Sequence, residues 1–346
     1  MTLQAVFGIE LPIIQAPMAG VQGSALTVAV SNAGGLGSLP CAMLDGDALR
    51  AELATIAAGT QRPFNVNFFC HTPPPAPDAA HEARWRALLA PYYAELGLEL
   101  AAAAPGPARA PFSEAIADVV EAFRPPVVSF HFGLPAPALL ARVRGWGAKI
   151  LASATTVAEA RWLEAQGVDA IIAQGVEAGG HRGMFLSDDL TTQTGTFALV
   201  PQVVQAVRVP VVAAGGIADA RGVAAAMALG AAGVQVGTAY LLCPETTTSA
   251  VHRAALKSAG AGHTALTNLF SGRPARSIVN RLMREVGPIN TAAPAFPLAT
   301  AALAPLRAEG ERRGSGDFSP LWSGQNASGC REIPAAALTR ELAAAL

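Results

Sequence analysis

The feature that most constrains the fold is a regular alternation of short apolar segments with longer alanine-rich amphipathic segments. Most of the short segments are apolar along their whole length, which is typical of parallel strands buried on both faces. Eight such alternations favour a parallel (β/α)₈ barrel, or TIM barrel, over an open doubly wound sheet. The predicted strands are 12–16, 35–39, 64–69, 126–131, 149–153, 170–174, 209–214 and 233–237.

The amphipathic segments between the strands are predicted helices, and several carry a suitable N-cap. Asp45, Thr156 and Asp219 each precede such a segment, and their side chains can accept a hydrogen bond from the first helical turn. The predicted helices include 45–58, 156–166, 219–229 and 246–258.

Two regions break the alternation. Residues 70–112 follow the third strand, begin with the proline-rich HTPPPAP and end in an alanine-rich run, and residues 285–346 follow the eighth strand. The first region is too long for an ordinary loop, and its position puts it over the carboxyl-terminal face of the barrel. We therefore expect one TIM-barrel unit over 1–346, with 70–112 and 285–346 forming a helical lid or small second domain.

Length and composition agree with this architecture. A TIM barrel takes about 250 residues, so a chain of 346 residues leaves roughly 100 for the two regions. The chain is 51% hydrophobic and 14% charged, which suits a large buried core. Its formal net charge of −1 gives no field that would attract nucleic acid or an anionic membrane.

Cysteine usage and hydropathy bear on the compartment. The four cysteines are far apart and form no Cys-x-x-Cys pair, so we expect neither a metal site nor a disulfide framework, and a reducing compartment such as the cytoplasm. The amino terminus lacks the pattern of a signal peptide. The uncharged stretch 222–244 is mostly alanine and glycine and changes period halfway, which predicts a helix and a buried strand rather than a membrane span.

Two glycine turns follow the seventh and eighth predicted strands. Gly215-Gly216 and Gly237-Thr238 lie where TIM barrels commonly bind phosphate. Glycine lets an anion approach the backbone closely, and the helix beginning near Asp219 points N–H groups toward the same place. The pair predicts a phosphate cradle, the alternative being two tight turns without a ligand. No dinucleotide or P-loop motif competes with this interpretation.

Polar and soft side chains stand at other strand ends. Pro17 and Met18 follow the first strand, where proline stiffens the backbone and methionine offers a polarizable surface to a flat ring. Asn67 and Gln174 lie at the ends of strands three and six. Their amides can hydrogen-bond the edge of a flavin ring, or they can satisfy a loop backbone instead.

One histidine is the main catalytic candidate. His131 ends the fourth strand, where a side chain can reach a ligand and act as a general base near neutral pH, although a structural role is the alternative. His181 is the second choice, and with Arg182 it can instead brace its loop. The remaining histidines are predicted to be surface residues: His71, His81, His252 and His263.

Taken in order, the motifs resemble one family. They are QAPMAG (15–20), NVNFF (65–69), VVSFHFG (127–133), DAIIAQGVEAGGHRG (169–183), GTFALVPQVV (195–204), PVVAAGGIAD (210–219) and GVQVGTAYL (233–241). In this order they resemble the nitronate monooxygenases, formerly called 2-nitropropane dioxygenases. SFHFG and EAGGHRG are similar to the class I branch, and SGRPAR (271–276) and SPLWSGQ (319–325) to the family's carboxyl-terminal part.

The resemblance implies an activity and its partners. A member would be an FMN-dependent TIM-barrel oxidoreductase that oxidises alkyl nitronates with O₂ to carbonyl compounds and nitrite. Propionate 3-nitronate and neutral nitroalkanes would be further substrates. The partners would then be a small nitronate and O₂, with no nucleic acid or membrane, and the protein would be a monomer or homodimer.

The resemblance also implies roles for particular residues. His131 would take the α-proton of a neutral nitroalkane, and Ala16, Pro17 and Met18 would line the flavin. FMN would be bound by Asn67, Gln174, Gly179, Gly180, Gly215, Gly216, Gln235, Val236, Gly237 and Thr238, with Gly216 and the run 235–238 at its phosphate end. His181, Trp322 and Gln325 are candidates for the substrate or flavin side.

Other functions remain open at this stage. An NADH-using reductase of enoyl-acyl carrier protein or of quinones also uses an FMN barrel with similar glycine turns, although SFHFG favours the monooxygenase. The same phosphate cradle would suit an isomerase or lyase acting on a phosphorylated sugar. A flavin-binding protein without turnover is a further alternative.

Overall fold

The structure is a computed structural model that describes residues 2–74, 78–100 and 109–346. Most of the alanine-rich run predicted to lie in the lid, at 101–108, falls outside these described residues.

Eight parallel strands form the barrel, as the alternation predicts. Their order around the sheet is β1-β9-β8-β6-β5-β4-β3-β2, and each of the eight predicted strands is confirmed to within about two residues at either end. The strands, in chain order, are β1 (Ile13–Gln15), β2 (Gly37–Pro40), β3 (Phe64–Phe69), β4 (Val127–His131), β5 (Lys149–Ala154), β6 (Ala170–Gln174), β7 (Gly180–His181), β8 (Val211–Ala214), β9 (Gly233–Val236), β10 (Thr264–Thr267) and β11 (Ala275–Ile278).

The barrel closes between β1 and β2 with little backbone pairing. One isolated bridge joins Ile14 to Leu36. Side chains supply the rest: the backbone N–H of Ser38 donates to Gln15 Oε1 (3.0 Å), and Gln22 Nε2 donates to the carbonyl of Ser38 (2.6 Å). Gln15 Nε2 also donates to Gln22 Oε1 at 2.6 Å, so two buried amides hold this seam together.

Helices surround the sheet, and the predicted N-caps form. Asp45 Oδ1 accepts from Ala48 N (2.9 Å), and the side chains of Thr156 and Asp219 cap their helices in the same way. The helices are α1 (Leu3–Phe7), α2 (Ser24–Asn32), α3 (Gly46–Gly59), α4 (Ala79–Leu96), α5 (Glu114–Phe123), α6 (Pro137–Gly145), α7 (Val157–Ala165), α8 (Thr196–Ala206), α9 (Ala220–Ala228), α10 (Ala250–Lys257), α11 (Arg281–Val286), α12 (Ala299–Arg312) and α13 (Ala335–Leu342).

The apolar core of the barrel has two layers, one between the strands and the surrounding helices and one inside the barrel. The larger layer packs the outer faces of the strands against the surrounding helices. Inside the barrel, Leu3 and Phe7 of α1 pack with Ile14, Leu36 and Leu151 of the strands. Because α1 covers the amino-terminal end in this way, a ligand has access from the carboxyl-terminal end.

Helices from both irregular regions pack against each other. A second apolar cluster brings Trp85 and Leu89 of α4 together with Leu303 and Leu306 of α12. Tyr93 of α4 donates its hydroxyl to the carbonyl of Ala302 (2.6 Å). The structure therefore has extra helices beyond the barrel, formed from the two regions that break the sequence alternation.

A small antiparallel sheet was not predicted. It has the order β10-β11-β7, and its register pairs Ala275 with His181 and Arg276 with Gly180. β7 pairs with β11, about 94 residues further along the chain, and no local pattern indicates such a pairing. This sheet fixes the loop after β6 beside the end of the barrel.

The uncharged stretch 222–244 divides as expected. It contains most of α9, all of β9 and the 3₁₀ helix Thr238–Leu242. In the part of the chain that the structure describes, no helix is both long and apolar enough to span a membrane.

Candidate active site

A single cavity lies at the carboxyl-terminal ends of the strands and collects most of the predicted residues. It encloses about 1350 Å³, including its open mouth. Residues at or just beyond the carboxyl-terminal ends of all eight barrel strands contribute to its walls. The predicted residues that line it are Ala16, Pro17, Met18, Asn67, His131, Gln174, Gly179, Gly180, His181, Gly215, Gly216, Gln235, Gly237, Thr238 and Trp322.

Two predicted residues do not line the cavity. The Val236 side chain is buried in the layer between the barrel and its helices, because neighbouring residues of a strand point to opposite faces. Gln325 has an exposed side chain, and its backbone N–H donates to the carbonyl of Glu177 (2.9 Å). Neither side chain contributes a wall to the site.

His131 is held by both ring nitrogens. Nε2 lies 3.2 Å from the carbonyl oxygen of His181, and Nδ1 lies 3.1 Å from Ser153 Oγ. A carbonyl can only accept, so Nε2 carries the proton, and Nδ1 accepts from the Ser153 hydroxyl. Burial lowers the pKa of His131 to about 4, with smaller contributions from Arg273 and Arg182, so the ring is neutral at pH 7.

The backbone just after His131 is strained. Phe132 has a φ of 69°, in the left-handed region that non-glycine residues rarely occupy, at a cost of about 1–3 kcal/mol. The conformation is held by packing, since the buried Phe132 ring contacts Phe69 (4.8 Å between centroids) and the Arg273 guanidinium lies 4.2 Å from its centroid. The sharp turn at Phe132 lets β4 end with the His131 ring facing the cavity.

The loop that follows β6 is braced by polar side chains rather than left free. Gln174 Nε2 donates to the carbonyl of His181 (3.0 Å), and Gln174 Oε1 accepts from Gly183 N (2.7 Å). The fully buried Arg182 donates to the carbonyls of Gln174 and Gly175, both at 2.7 Å. Both the Gln174 amide and Arg182 therefore satisfy a loop backbone, which was the alternative weighed for each.

The two glycine turns lie side by side, as predicted. Gly215 and Gly216 have φ values of 127° and 71°, which other residues adopt only with strain. The segment containing Gly324 and Asn326 crosses both turns, with Asn326 Nδ2 donating to the carbonyl of Gly216 (3.0 Å) and Gly324 N donating to Thr238 Oγ1 (2.9 Å). The Thr238 hydroxyl hydrogen stays available to an anion, because its oxygen is the acceptor in that bond.

One part of the predicted cradle differs in detail. Gly222 N, in the first turn of α9, donates to Asp219 Oδ1 (2.9 Å), so the cap already uses an N–H group that had been assigned to phosphate. After Gly237 the chain forms a short 3₁₀ helix instead of a long α-helix. The donors near the cavity are therefore those of the glycine turns and Thr238 rather than of a helix end.

Gln235 supplies an unsatisfied polar atom to the cavity wall. Its Oε1 is buried and has no hydrogen-bond partner among the described residues. A buried acceptor without a partner is unfavourable by about 1–3 kcal/mol. The amide is therefore suited to a ligand that presents an N–H or O–H group at this wall.

Two histidines predicted to lie on the surface are buried instead. His71 packs edge-on against Phe296 (4.8 Å between centroids), and His252 lines the cavity with Nε2 3.1 Å from the carbonyl of Trp322. The surface prediction was wrong for both, because the neighbours that cover them are distant in sequence. His263 is exposed, as predicted.

Among the described residues, four polar residues that line the cavity were not predicted as site residues: Arg109, Ser153, His252 and Asn326. Ser153 lines the cavity next to His131, and its place at the end of the predicted fifth strand was a signal that could have revealed it. Arg109 also lines the cavity. It adjoins an alanine-rich run of biased composition, and no local pattern distinguishes it from a surface arginine.

The buried histidines predict acid lability. Burial is the main cause that lowers the pKa of His71, His131 and His252 to about 4 and that of His181 well below its usual 6.5. Between about pH 6.5 and 4 the unfolded chain binds protons at these rings that the folded chain does not, so the free energy of unfolding should decrease as the pH falls.

Denaturant unfolding of the protein across this pH range measures the effect. At pH 5.5 the slope of unfolding free energy against pH should correspond to about three to four protons taken up on unfolding. His252→Gln should reduce that number by about one. A flat profile between pH 6.5 and 5 would contradict the buried, neutral state of these rings.

Fold and site together define an enzyme of the TIM-barrel class. Active sites of this class lie at the carboxyl-terminal ends of the strands, where this cavity lies. The opposite end is closed by α1. The perturbed histidines cluster in and around the cavity, as titratable groups of active sites do.

Comparison with known proteins identifies the family. A family model described as nitronate monooxygenase matches residues 1–345. The chain is 43% identical over 346 residues to a nitronate monooxygenase of Paraburkholderia phytofirmans, covering 98% of this chain and 93% of the relative. It is 44% identical over 343 residues to one of Pseudomonas aeruginosa, covering 97% and 96%. The structure resembles that of a nitroalkane oxidase from Streptomyces ansochromogenes, with a TM-score of 0.89, 41% identity and coverage of 99% and 97%.

The chain therefore belongs to the nitronate monooxygenase family. It is an enzyme, and specifically an oxidoreductase, of a family whose members commonly use a flavin.

Proposed function

We propose that this enzyme uses FMN and O₂ to oxidise alkyl nitronates to carbonyl compounds and nitrite, and that it also accepts neutral nitroalkanes. The observation that carries the proposal is that one cavity combines the neutral imidazole of His131 with the glycine turns after β8 and β9. The relatives from P. phytofirmans and P. aeruginosa, both named nitronate monooxygenases, support the choice of substrate.

The residues present fit FMN. Gly215, Gly216, Gly237 and Thr238 would hold the phosphate, because backbone at glycine can approach an anion closely and the Thr238 hydroxyl adds a donor. The resemblance placed Gln235 at the phosphate end, but its unpartnered Oε1 is an acceptor and would suit an N–H donor of the isoalloxazine ring instead. Bound FMN would supply the electron acceptor for oxidation of the nitronate.

The segment after β1 would line the ring. Ala16, Pro17 and Met18 offer an apolar wall, and Met18 N is anchored by Gln22 Oε1 at 3.1 Å. Asn67 donates its amide N–H to Ser129 Oγ (2.9 Å), which fixes its orientation at the cavity. A soft, prearranged wall of this kind binds a flat ring without a large ordering cost.

His131 would remove the α-proton of a neutral nitroalkane. Nδ1 is its unprotonated nitrogen, and the proton would enter at that atom once the Ser153 hydroxyl turns away. The carbonyl of His181 would hold the other ring proton and stabilise the imidazolium that forms. A preformed nitronate has no such proton to lose, so its oxidation does not need this base.

Aromatic side chains around the base would keep the reaction dry. Phe69, Phe132 and Phe296 are buried and form one apolar cluster beside His131 and His181. Exclusion of water strengthens the electrostatic interactions of a charged substrate and limits side reactions. We further propose that 1–346 is one FMN-binding unit, in which 70–112 and 285–346 contribute a lid or small domain. Among their described helices, α4 and α12 pack together, whereas α13 packs in the core of the barrel.

An aerobic assay tests the proposed function. The purified protein is mixed with a panel of nitronates, and oxygen uptake and nitrite release are followed together. Both should rise in step for at least one alkyl nitronate. Rapid oxidation of NADH under anaerobic conditions, without nitronate turnover, would instead support the reductase of enoyl-acyl carrier protein or quinones. Absence of flavin absorbance would support the phosphosugar isomerase or lyase.

The cofactor itself gives a separate prediction. The protein should be yellow and should release FMN rather than FAD on denaturation, because paired glycine turns suit one terminal phosphate and no dinucleotide fingerprint is present. Chromatography of the released flavin measures this. Released FAD, or failure to retain added FMN, would contradict the proposed cradle.

Compartment and assembly complete the proposal. We propose a reducing compartment such as the cytoplasm, which agrees with four free cysteines. Burial also raises the pKa of Cys330 to about 12, which disfavours the thiolate near neutral pH. We propose a monomer or a homodimer.

A further inference from the structure

Three consecutive carbonyl groups of the loop after β6 are bound by buried arginines. Arg182 donates to the carbonyls of Gln174 and Gly175, both at 2.7 Å. Arg276 Nε donates to the carbonyl of Val176 at 2.8 Å. Both arginine side chains are buried, and neither lines the cavity. The carbonyls of this segment are therefore directed at the arginines and not at the cavity.

The same loop then continues into the cavity wall. Gly179 and Gly180 line the cavity, and no hydrogen bond within the described part of the chain uses the N–H of Gly179. A Cβ built at Gly324 would lie 3.3 Å from both Gly179 N and Thr238 Oγ1. The N–H of Gly179 and the Thr238 hydroxyl are therefore neighbouring donors at one end of the cavity.

The glycine turns offer an anion no charged side chain. Among the described residues that line the cavity, Arg109 is the one lysine or arginine, and it donates to Thr300 Oγ1 of α12 at 2.8 Å. The N–H groups of Gly216 and Gly237 also take part in no hydrogen bond with another described residue. A phosphate held here would be stabilised mainly by peptide dipoles, so its affinity depends on which end of each dipole faces it.

The two buried arginines act on these dipoles rather than through net charge. Burial lowers the pKa of both guanidinium groups, and the carboxylate of Glu177 acts in the opposite direction on both. That carboxylate is fixed at the start of α8, where it accepts from Thr196 N (2.8 Å) and Thr196 Oγ1 (2.7 Å). Since Glu177 balances positive charge nearby, what the arginines chiefly supply is donors for the loop carbonyls. Without those donors a peptide could turn over and present its carbonyl to the anion.

We propose that Arg182 and Arg276 are positioning residues for the FMN phosphate. By holding the carbonyls of 174–176 away from the cavity, they leave the N–H groups of the turn that follows directed toward the anion. This inference rests on the proposed binding of FMN. It assigns part of the affinity for the phosphate to two side chains that do not touch it, and none of the affinity for the flavin ring.

Riboflavin tests this division, because it is FMN without the phosphate. The full-length apoprotein is titrated with each flavin, and the ratio of the dissociation constants for riboflavin and FMN measures the contribution of the phosphate. In Arg276→Met this ratio should fall about tenfold, the value of one hydrogen bond to a charged group, while riboflavin affinity changes less than about threefold. Arg182→Met releases two carbonyls and should lower the ratio at least as much.

Two further variants serve as controls. Arg273→Met removes another arginine that holds a backbone carbonyl, that of Met184, without lining the cavity. Because Arg273 lies over the Phe132 ring beside His131, its loss should leave the flavin ratio unchanged. Arg276→Lys keeps the charge and a donor but not the planar fork, so it should give an intermediate ratio. The test therefore does not depend on a methionine variant that folds.

The outcomes separate this inference from the proposed function. A wild-type ratio in the Arg276 and Arg182 variants, or equal losses for the two flavins, would overturn the positioning role and leave FMN binding intact. A wild-type protein that binds both flavins equally would overturn the phosphate cradle and the positioning role together. The measurement uses no nitronate, so a fall in the ratio would stand even if nitronate oxidation failed.

Discussion

Replacing His131 by asparagine should lower kcat/KM for a neutral nitroalkane by about 10²–10⁴-fold, the usual contribution of a positioned base. Asparagine keeps a polar group of similar reach but cannot accept the α-proton near neutral pH. A preformed nitronate has already lost that proton, so its kcat/KM should change far less. The measurement is kcat/KM for both substrate forms in the wild-type and variant proteins.

The pH profile adds a second readout to this variant. Since burial lowers the pKa of His131 to about 4, the ring is already neutral above that pH. Wild-type activity on the neutral nitroalkane should show no decrease centred on pH 6.5 that is assignable to this base, and should decline only as the pH approaches 4. A decrease centred on 6.5 that is absent in the variant would mean that the ring is solvated in the working enzyme.

A matched control and two adverse outcomes complete the test. His263→Asn changes an exposed histidine outside the cavity and should leave both rates unaltered. If kcat/KM of His131→Asn falls equally for the nitroalkane and the nitronate, His131 binds the substrate or orders the site, and its assignment as the base is withdrawn. If neither rate changes, His131 is structural.

Replacing Gly237 by valine should weaken FMN binding by about 10–100-fold. A Cβ at Gly237 would lie 3.3 Å from Ala16 Cβ and 3.6 Å from Met18 Sδ, so the added methyl groups would displace the segment that lines the cavity. They would also obstruct the approach of a phosphate to the turn, where each hydrogen bond to a charged group contributes about 1.5–3 kcal/mol. Titration of the apoprotein with FMN measures the dissociation constant.

A second glycine controls for general effects of the substitution. Gly145 ends α6, and a Cβ built there meets nothing within 4 Å. Gly145→Val should leave FMN affinity unchanged. Gly237→Val should lose FMN affinity even where the free energy of unfolding of its apoprotein stays close to that of Gly145→Val. Full FMN affinity in Gly237→Val would mean that the phosphate lies elsewhere.

The barrel could be predicted because its signals are local. Buried parallel strands appear in the sequence as short apolar runs. Helix N-caps such as Asp45 and Thr156 bond to residues only three positions away. Strand ends then specify the site, since all eight converge on one face. That rule predicted the positions of His131 and of the glycine turns, although their roles remain proposals.

What could not be predicted depends on contacts between distant segments. Gln174 braces a loop because the backbone of His181 and Gly183 folds back over it. His252 is buried by the segment that contains Trp322, 70 residues further along the chain. Arg109 lies at the cavity and donates to Thr300 Oγ1, 191 residues further along the chain. No periodicity or propensity encodes such pairings, so composition alone assigns these residues to loops or surfaces.

The junction between β1 and β2 links closure of the barrel to ligand binding in the cavity. Gln22 Oε1, which accepts from Gln15 across the seam, also accepts from the backbone of Met18 at the cavity. Gln22 Oε1 therefore takes part both in closing the barrel between β1 and β2 and in holding the backbone of Met18 at the cavity wall. A ligand that packs against Met18 should therefore stabilise the barrel against opening between β1 and β2. A substitution that weakens this closure should in turn reduce the affinity for that ligand by the same free energy.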